Sequence, residues 1–401
     1  MKQDDISYVN ASLHQYHDIG AGERGVTRPG YSETENQMHT LFTRQAESLG
    51  LTVYHDCYGN SYASFAKELP VVLIASHLDS VVEGGRFDGP AGVITGLLIQ
   101  KWNLEEHAGL PVTCGALRCE ESSRFGHATI GSGLATGQFQ IEDAGAWKDS
   151  NGITLAEELQ KHENDGPVPD YSRLQEYLEL HIEQGRVLEE SRKELGIVTS
   201  IAGNHRIFLD LKGMAEHSGA TPMNLRNDAL CAAAEVILAV EHIAEEEWKE
   251  HSVGTVGVVE NHPNVMNVVP GETKLRIDLR SQSADSLARM EEAVLMQTKQ
   301  ICERRGITLD VERITRTQPV MMNKDIAEGL MKACEAEGNS GMYMPSGAGH
   351  DAMHYAEITH AGMVFIPCLH GISHNPAEHA EAEDIVKGAR AMYAYLKEEF
   401  Q

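Results

Sequence analysis

Three imidazoles and two carboxylates in this chain fall where metal chemistry would need them: His77, Asp88, Glu121, His181 and His374. Each ends or follows a short apolar run of strand character, and in open α/β sheets ligands bind beyond the carboxyl ends of strands. The run Val71-Val72-Leu73-Ile74-Ala75-Ser76 leads into His77-Leu78-Asp79, and Gly84-Gly85-Arg86-Phe87-Asp88-Gly89 supplies a second carboxylate. Among 20 histidines and 60 acidic residues a lone His-x-Asp is ordinarily a solvated loop. The glycines around Asp88 argue against that, because tight backbone turns carry an entropic cost that a plain surface loop has little reason to bear. Glu120 and Glu121 follow the run 112–119; one can bind a metal while the other stays free as a general base. His181 closes another run with Gln184 close behind, and His374 follows the strand expected over 363–367. Nitrogen and oxygen ligands together suit zinc, manganese, cobalt or nickel without selecting among them. A carboxylate bridging two ions would give each three protein contacts and leave a place for water. Asp79 is expected to accept the free N–H of His77 and fix its tautomer.

The elements that must position these groups are legible in outline. The run 71–76, without polar alternation, predicts a strand buried on both faces of a mainly parallel sheet. Helices are expected over 6–19, 33–49 (closed by Gly50) and 91–103, and strands over 51–54, 61–65 and 112–119. Residues 176–185 alternate as a strand would, and 141–169 reads as an acid-rich periphery. Arg28 and Asn60, in loops, are expected to be solvated. From Arg206 onward the order becomes β-α-β-β-α-β, a compact inserted module of split-βαβ type. It divides a catalytic metal-binding domain, 1–205 and 316–401, around an insert over 206–315. The insert's polar outliers are His217, Asn267 and Arg280. Arg280 reads equally as a surface ion pair and as a guanidinium fork for a substrate carboxylate.

Composition sets the broad class. With 401 residues, 41% hydrophobic and 23% charged, the chain reads as an ordinary globular protein of two domains or one with an insertion. A formal charge of -27 argues against nucleic acid or an anionic membrane as partner, leaving small polar molecules. The 7 cysteines are odd in number and never spaced C-x-x-C, which fits reduced thiols in a cytoplasmic enzyme. The start, Met1-Lys2-Gln3-Asp4-Asp5, has no apolar segment and predicts no signal peptide, and no apolar window predicts a membrane span.

Taken together, His77-Leu78-Asp79-Ser80, Gly84 to Gly89, Glu120-Glu121 with Arg124-Phe125, His181 to Gly185, His217 to Met223, Asn267 to Pro270, Ser346 to Ala352 and Gly371 to His374 resemble the amidase branch of the zinc aminoacylase and peptidase family. That branch holds N-carbamoyl-L-amino acid hydrolases, allantoate and ureidoglycolate amidohydrolases and β-ureidopropionases. The resemblance spans nearly the whole chain in order. It implies an α/β fold with a mixed-sheet metallohydrolase domain and an inserted α+β dimerisation and lid domain, two divalent ions per subunit, and a homodimer. It further implies that Asp88 bridges, with His77 and His181 on one ion and Glu121 and His374 on the other, and that Glu120 is the base. Arg280 would hold a substrate carboxylate, helped by Gln184, Asn267 and the backbone of Gly347, Ala348 and Gly349. His217 would act on the oxyanion, in cis or from the partner subunit. The implied reaction is hydrolysis of a carbamoyl C–N bond in a ureido acid, with an aminoacylase, a dipeptidase or a non-catalytic metal-binding dimer as alternatives. Ala75, Ser80 and Ser122 depart from the family's usual small residues without removing a catalytic group.

Overall fold

A computed structural model of the chain describes residues 3–65, 71–162 and 165–401. Met1, Lys2 and residues 163–164, which fall in segments read above, lie outside them. In chain order the strands begin with β1 (Thr52–His55), β2 (Ser61–Ser64), β3 (Val72–His77), β4 (Val112–Leu117), β5 (Glu176–Ile182), β6 (Leu195–Ile201) and β7 (Gly203–Lys212). There follow β8 (Glu216–His217), β9 (Val253–His262), β10 (Val268–Val269), β11 (Glu272–Ser281) and β12 (Thr308–Arg316). Last come β13 (Val320–Met321), β14 (Gly341–Ser346) and β15 (His360–Ile366). Contacts divide the chain into two compact units, Met1–Thr199 with Met321–Gln401, and Ser200–Val320.

The first unit is built on a mixed sheet in the order β1-β2-β4-β3-β5-β15-β6-β13, with β14 paired to β6. This is the α/β, mixed-sheet architecture expected. At its centre β4, β3, β5 and β15 run parallel. Every residue of β3 and β4 is buried, as an aliphatic run without alternation requires when helices cover both faces. The helix Pro90–Glu105 starts on a proline at its first turn and is buried on almost every side, with Val93, Ile94, Leu97 and Trp102 in the core. Gly89, just before it, has φ +81°, and a β-carbon there would lie 2.5 Å from the His77 carbonyl oxygen. Only glycine lets the chain turn this tightly against His77.

The alternating run read over 176–185 forms strand β5, and all seven residues of β5 are buried, because it lies between parallel neighbours β3 and β15. Its acids are paired inside: Tyr395 donates to Glu176 at 2.7 Å, and Ser76 and Tyr177 donate to Glu179 at 3.1 and 3.0 Å. One expectation is corrected: Arg28 and Asn60 are not solvated; both are completely buried. The Arg28 N–H donates to Ser80 Oγ at 3.0 Å and its carbonyl accepts from Ser80 N–H at 2.9 Å, which pulls its loop against the segment behind His77. Asn60 Oδ1 accepts the Arg118 N–H at 2.9 Å, and its amide donates to Asp56 and to the Gly131 carbonyl.

The second unit is a four-stranded antiparallel sheet in the order β12-β7-β11-β9, with the helices Ala229–Glu246 and Ala284–Arg305 packed on it. Alternate residues of β7 and β11 are buried, the signature of a sheet covered on one face. Asp228 and Ser283 cap the two helices by accepting from the Cys231 and Ser286 amides. The unit is wider than 206–315 because β7 starts at Gly203 and β12 runs to Arg316. A separate short pair, β8 with β10, carries His217 opposite Val268.

Candidate metal centre

The four parallel strands deliver their carboxyl ends to one edge of the sheet. His77 ends β3, Glu120 and Glu121 follow β4, His181 is near the end of β5, and His374 lies in the loop after β15. Asp88 reaches the same place from the glycine-rich loop. Its two oxygens face different partners. Oδ1 lies 3.2 Å from His77 Nε2 and 3.1 Å from His181 Nε2. Oδ2 lies 3.3 Å from His374 Nε2, which is itself 3.2 Å from Glu121 Oε1. Ligand atoms bound to one tetrahedral ion at 2.0–2.1 Å stand about 3.3 Å apart. The spacing and the donor set therefore fit two ions sharing one carboxylate. Among the described residues Glu179, His181 and His350 also cluster, but this group draws on the same His181.

Ring orientations agree with ligation through Nε2. His181 Nδ1 is 2.9 Å from the Ile182 carbonyl, an acceptor for its proton that leaves Nε2 its lone pair, and His77 Nδ1 faces Asp79 Oδ1 at 3.4 Å, a charge contact that turns its Nε2 toward Asp88. Asp79 does more than its sequence position suggested. Its oxygens accept the backbone N–H groups of both Glu120 and Glu121 at 3.0 Å, which fixes the two glutamates relative to His77. Glu120 Oε2 is 4.0 Å from His77 Nε2, next to the cluster and outside both ligand sets.

Without cations the cluster is electrostatically frustrated. Burial pushes the Glu120 carboxyl well up, opposed by His77 and reinforced by Glu121, Asp351 and Asp79. Burial opposes ionisation of Asp88 too, but His181, His374 and His77 overcome it and hold it well below the usual carboxylate range. Hydrogen bonds to Asp88 and Glu121 push His374 up to about 11. Asp88 is thus ionised already, and His374 holds a proton that a bound cation would replace. Burial brings Arg28 down to about 10, against the pull of Asp79, Glu378 and Asp88, and its Nε and Nη2 have no hydrogen-bond partner among the described residues.

The remaining candidates fall in two places. Gln184, in the first unit, donates to Asp88 Oδ2 at 2.7 Å and lies 3.2 Å from Ser373 Oγ. Gly347, Ala348 and Gly349 form the turn after β14, where Ser346 Oγ accepts the Ala348 N–H at 3.1 Å. A β-carbon at Gly347 would meet nothing, so packing does not demand glycine there. His217, Asn267 and Arg280 belong to the second unit. His217 Nδ1 accepts from the Gly219 and Ala220 amides at 3.1 and 3.2 Å, which puts the neutral ring's proton on Nε2. The Asn267 carbonyl accepts the Ser218 N–H at 3.0 Å. Arg280 is paired along its own strand with Asp278, through Nε and Nη2, each at 3.1 Å. Sequence reasoning missed Ser373 and Glu378, which contact Asp88 or its backbone; nothing local distinguishes Glu378 from the acids that follow it.

Residues 73–398 match the family model described as peptidase family M20/M25/M40. An N-carbamoyl-L-amino acid amidohydrolase of Geobacillus stearothermophilus is 37% identical over 92% of this chain and 92% of its own length. An allantoate amidohydrolase of Escherichia coli strain K12 is 34% identical over 93% of this chain and 92% of its own. A solved hydantoinase/carbamoylase family amidase from Burkholderia multivorans has a TM-score of 0.90 at 34% identity, covering 98% of this chain and 97% of that one.

Proposed function

Because the chain belongs to peptidase family M20/M25/M40, we propose that it hydrolyses the carbamoyl C–N bond of an N-carbamoyl-L-amino acid or an allantoate-like ureido acid. The family and the relatives make it a metal-dependent hydrolase of linear amide or ureido C–N bonds. The finer reading is supported by the relatives named N-carbamoyl-L-amino acid and allantoate amidohydrolases, and the two-ion centre it needs by the Asp88 carboxylate, whose two oxygens face two separate ligand sets.

His77 and His181 would hold one divalent ion with Asp88, and Glu121 and His374 the other; zinc, manganese, cobalt and nickel all suit these donors. When bound, the ions supply Lewis-acid activation of the attacking water and of the carbonyl. Glu120 takes the proton of the attacking water and returns it to the leaving nitrogen, a role its place 4.0 Å from His77 Nε2 supports. Asp79 keeps that carboxylate and the His77 ring in register. The Nε2–H of His217 donates to the developing oxyanion, in cis or across a dimer. Arg280 exchanges its Asp278 partner for the substrate carboxylate, and Gln184, Asn267 and the backbone of 347–349 are the further groups that would bind substrate. The products are ammonia, carbon dioxide and the amine.

A homodimer is supported by the edge strand β9, whose exposed Val253, Val258 and Val259 offer a pairing surface; sedimentation equilibrium tests it. A cytoplasmic location is supported by the seven free thiols. No helix among the described residues is long and apolar enough to cross a membrane. The deciding experiment measures ammonia and amine release from allantoate, ureidoglycolate, N-carbamoyl and N-acetyl amino acids, using metal-stripped protein reloaded with each ion. Metal-dependent ammonia release from a ureido acid is expected. Release of amines from acyl or peptide substrates alone would replace the reading with an aminoacylase or dipeptidase.

A further inference from the structure

Glu378 ties together two loops that supply metal ligands. Its side chain is buried. Oε1 accepts the backbone N–H of Phe87 at 2.8 Å and of Asp88 at 3.1 Å. Oε2 accepts from Ser373 Oγ at 3.1 Å, beside His374. Gly85 shows how close this approach is: a β-carbon there would lie 2.1 Å from Glu378 Cδ. The Phe87 and His379 rings meet edge to face at 5.4 Å on the same seam.

The Ser373 hydroxyl adds a constraint on protons. It lies 3.1 Å from Asp88 Oδ2 as well as from Glu378 Oε2, and 3.2 Å from the Gln184 amide nitrogen. A hydroxyl has one proton to give. Given to Glu378, it leaves Asp88 Oδ2, which also accepts from Gln184 at 2.7 Å, a lone pair for a cation. Given to Asp88, it competes with one.

We propose that Glu378 is a positioning residue of the metal centre, clamping the Asp88 loop to the His374 loop and drawing the Ser373 proton away from Asp88 Oδ2. This rests on the two-ion reading above. It makes the acid after His374 part of the machinery that orients ligands, a class of contact whose loss costs about 10- to 100-fold in metal affinity or activity.

The test is the affinity of each ion for metal-stripped wild type, Glu378→Gln and Glu378→Ala, by competition with a chromogenic chelator, with the visible spectrum of the cobalt form and apo-protein melting in parallel. Glu378→Gln can keep its amide oxygen on the Phe87 and Asp88 N–H groups, while its NH2 donates to Ser373 and sends the hydroxyl proton to Asp88. It should therefore weaken one ion about tenfold, alter the cobalt spectrum and leave the other ion in place. Glu378→Ala should weaken both. A purely structural role would lower the melting temperature of the apo forms and leave affinity and spectrum of the folded protein unchanged. Wild-type affinities in Glu378→Gln overturn the proposal, and that variant decides alone if Glu378→Ala does not fold. Wild type that takes up no ion overturns the metal-centre reading itself, a result distinct from intact wild-type binding with an unaffected variant.

Discussion

Glu120 and Glu121 are neighbours in sequence for which separate tasks are proposed. Glu121 points at His374, whereas Glu120 stands 4.0 Å from His77 and outside the ligand sets. Glu120→Gln should thus lower turnover by at least about 100-fold, the usual scale of a lost general base, while metal content and melting temperature stay at wild-type values. Near-normal turnover would remove Glu120 from its role. A second prediction concerns Glu176, whose buried Oε2 has no partner among the described residues while Oε1 accepts from Tyr395. Burial lifts this carboxyl to about 7 from 4.5, opposed by the Tyr395 hydrogen bond. A raised folded-state value means that stability is fully present below the ordinary value and lost as pH rises through the folded one. The melting temperature should therefore fall between about pH 5 and 8 more steeply in wild type than in Glu176→Gln. Equal slopes would show that Glu176 does not titrate there. At this scale the sequence revealed residues whose neighbours carry a local signal: an imidazole ending an apolar run, a carboxylate among glycines. It hid Arg28, Asn60 and Glu378, because their burial comes from partners far along the chain: Ser80, Arg118 and Phe87.

At the scale of elements the site depends on how the helix Pro90–Glu105 lies across β3 and β5. Gly92 is the contact point. A β-carbon on it would lie 2.4 Å from the Leu180 carbonyl oxygen and 2.6 Å from Ser76 Cβ, and each of these residues directly precedes a ligand histidine. Gly92→Ala should cost about 1–3 kcal/mol by overpacking and also weaken metal binding, because the push falls on the backbone that aims His77 and His181. Gly145→Ala, where a β-carbon meets nothing, should change stability by no more than about 0.5 kcal/mol. Urea midpoints and metal titrations of the two variants check this, and a wild-type result for Gly92→Ala would show that the helix can shift without moving the ligands. The order of elements was legible because buried parallel strands and amphipathic helices differ in periodicity. The strand character of β5 was legible too, but its burial was not. Glu176 and Glu179 sit inside because hydroxyls of Tyr395, Ser76 and Tyr177 donate to them, and two of these come from other elements.

At the scale of the whole chain the two units divide the work. All five candidate ligands, Glu120 and Asp79 belong to the first, while His217, Asn267 and Arg280 belong to the second. The second also has a core of its own: the cluster containing Ile207, Leu209, Val236, Leu275, Leu287 and Val294 draws no described residue from outside 200–320. Its ends are joined by hydrogen bonds, with Thr317 N–H donating to the Asn204 carbonyl at 2.9 Å. An inserted module with its own core and adjacent ends is one that can fold alone and be removed with a short linker. The excised fragment 200–320 should therefore give a cooperative thermal transition followed by circular dichroism. The chain with 203–317 replaced by a short glycine-serine linker should bind divalent ions as wild type does and lose ureido hydrolysis, since the ligands remain and the proposed substrate groups are gone. A fragment that melts without cooperativity would show that the core of the second unit needs the first. A linker form that still hydrolyses ureido acids would assign substrate recognition to Gln184 and the turn 347–349 in place of Arg280.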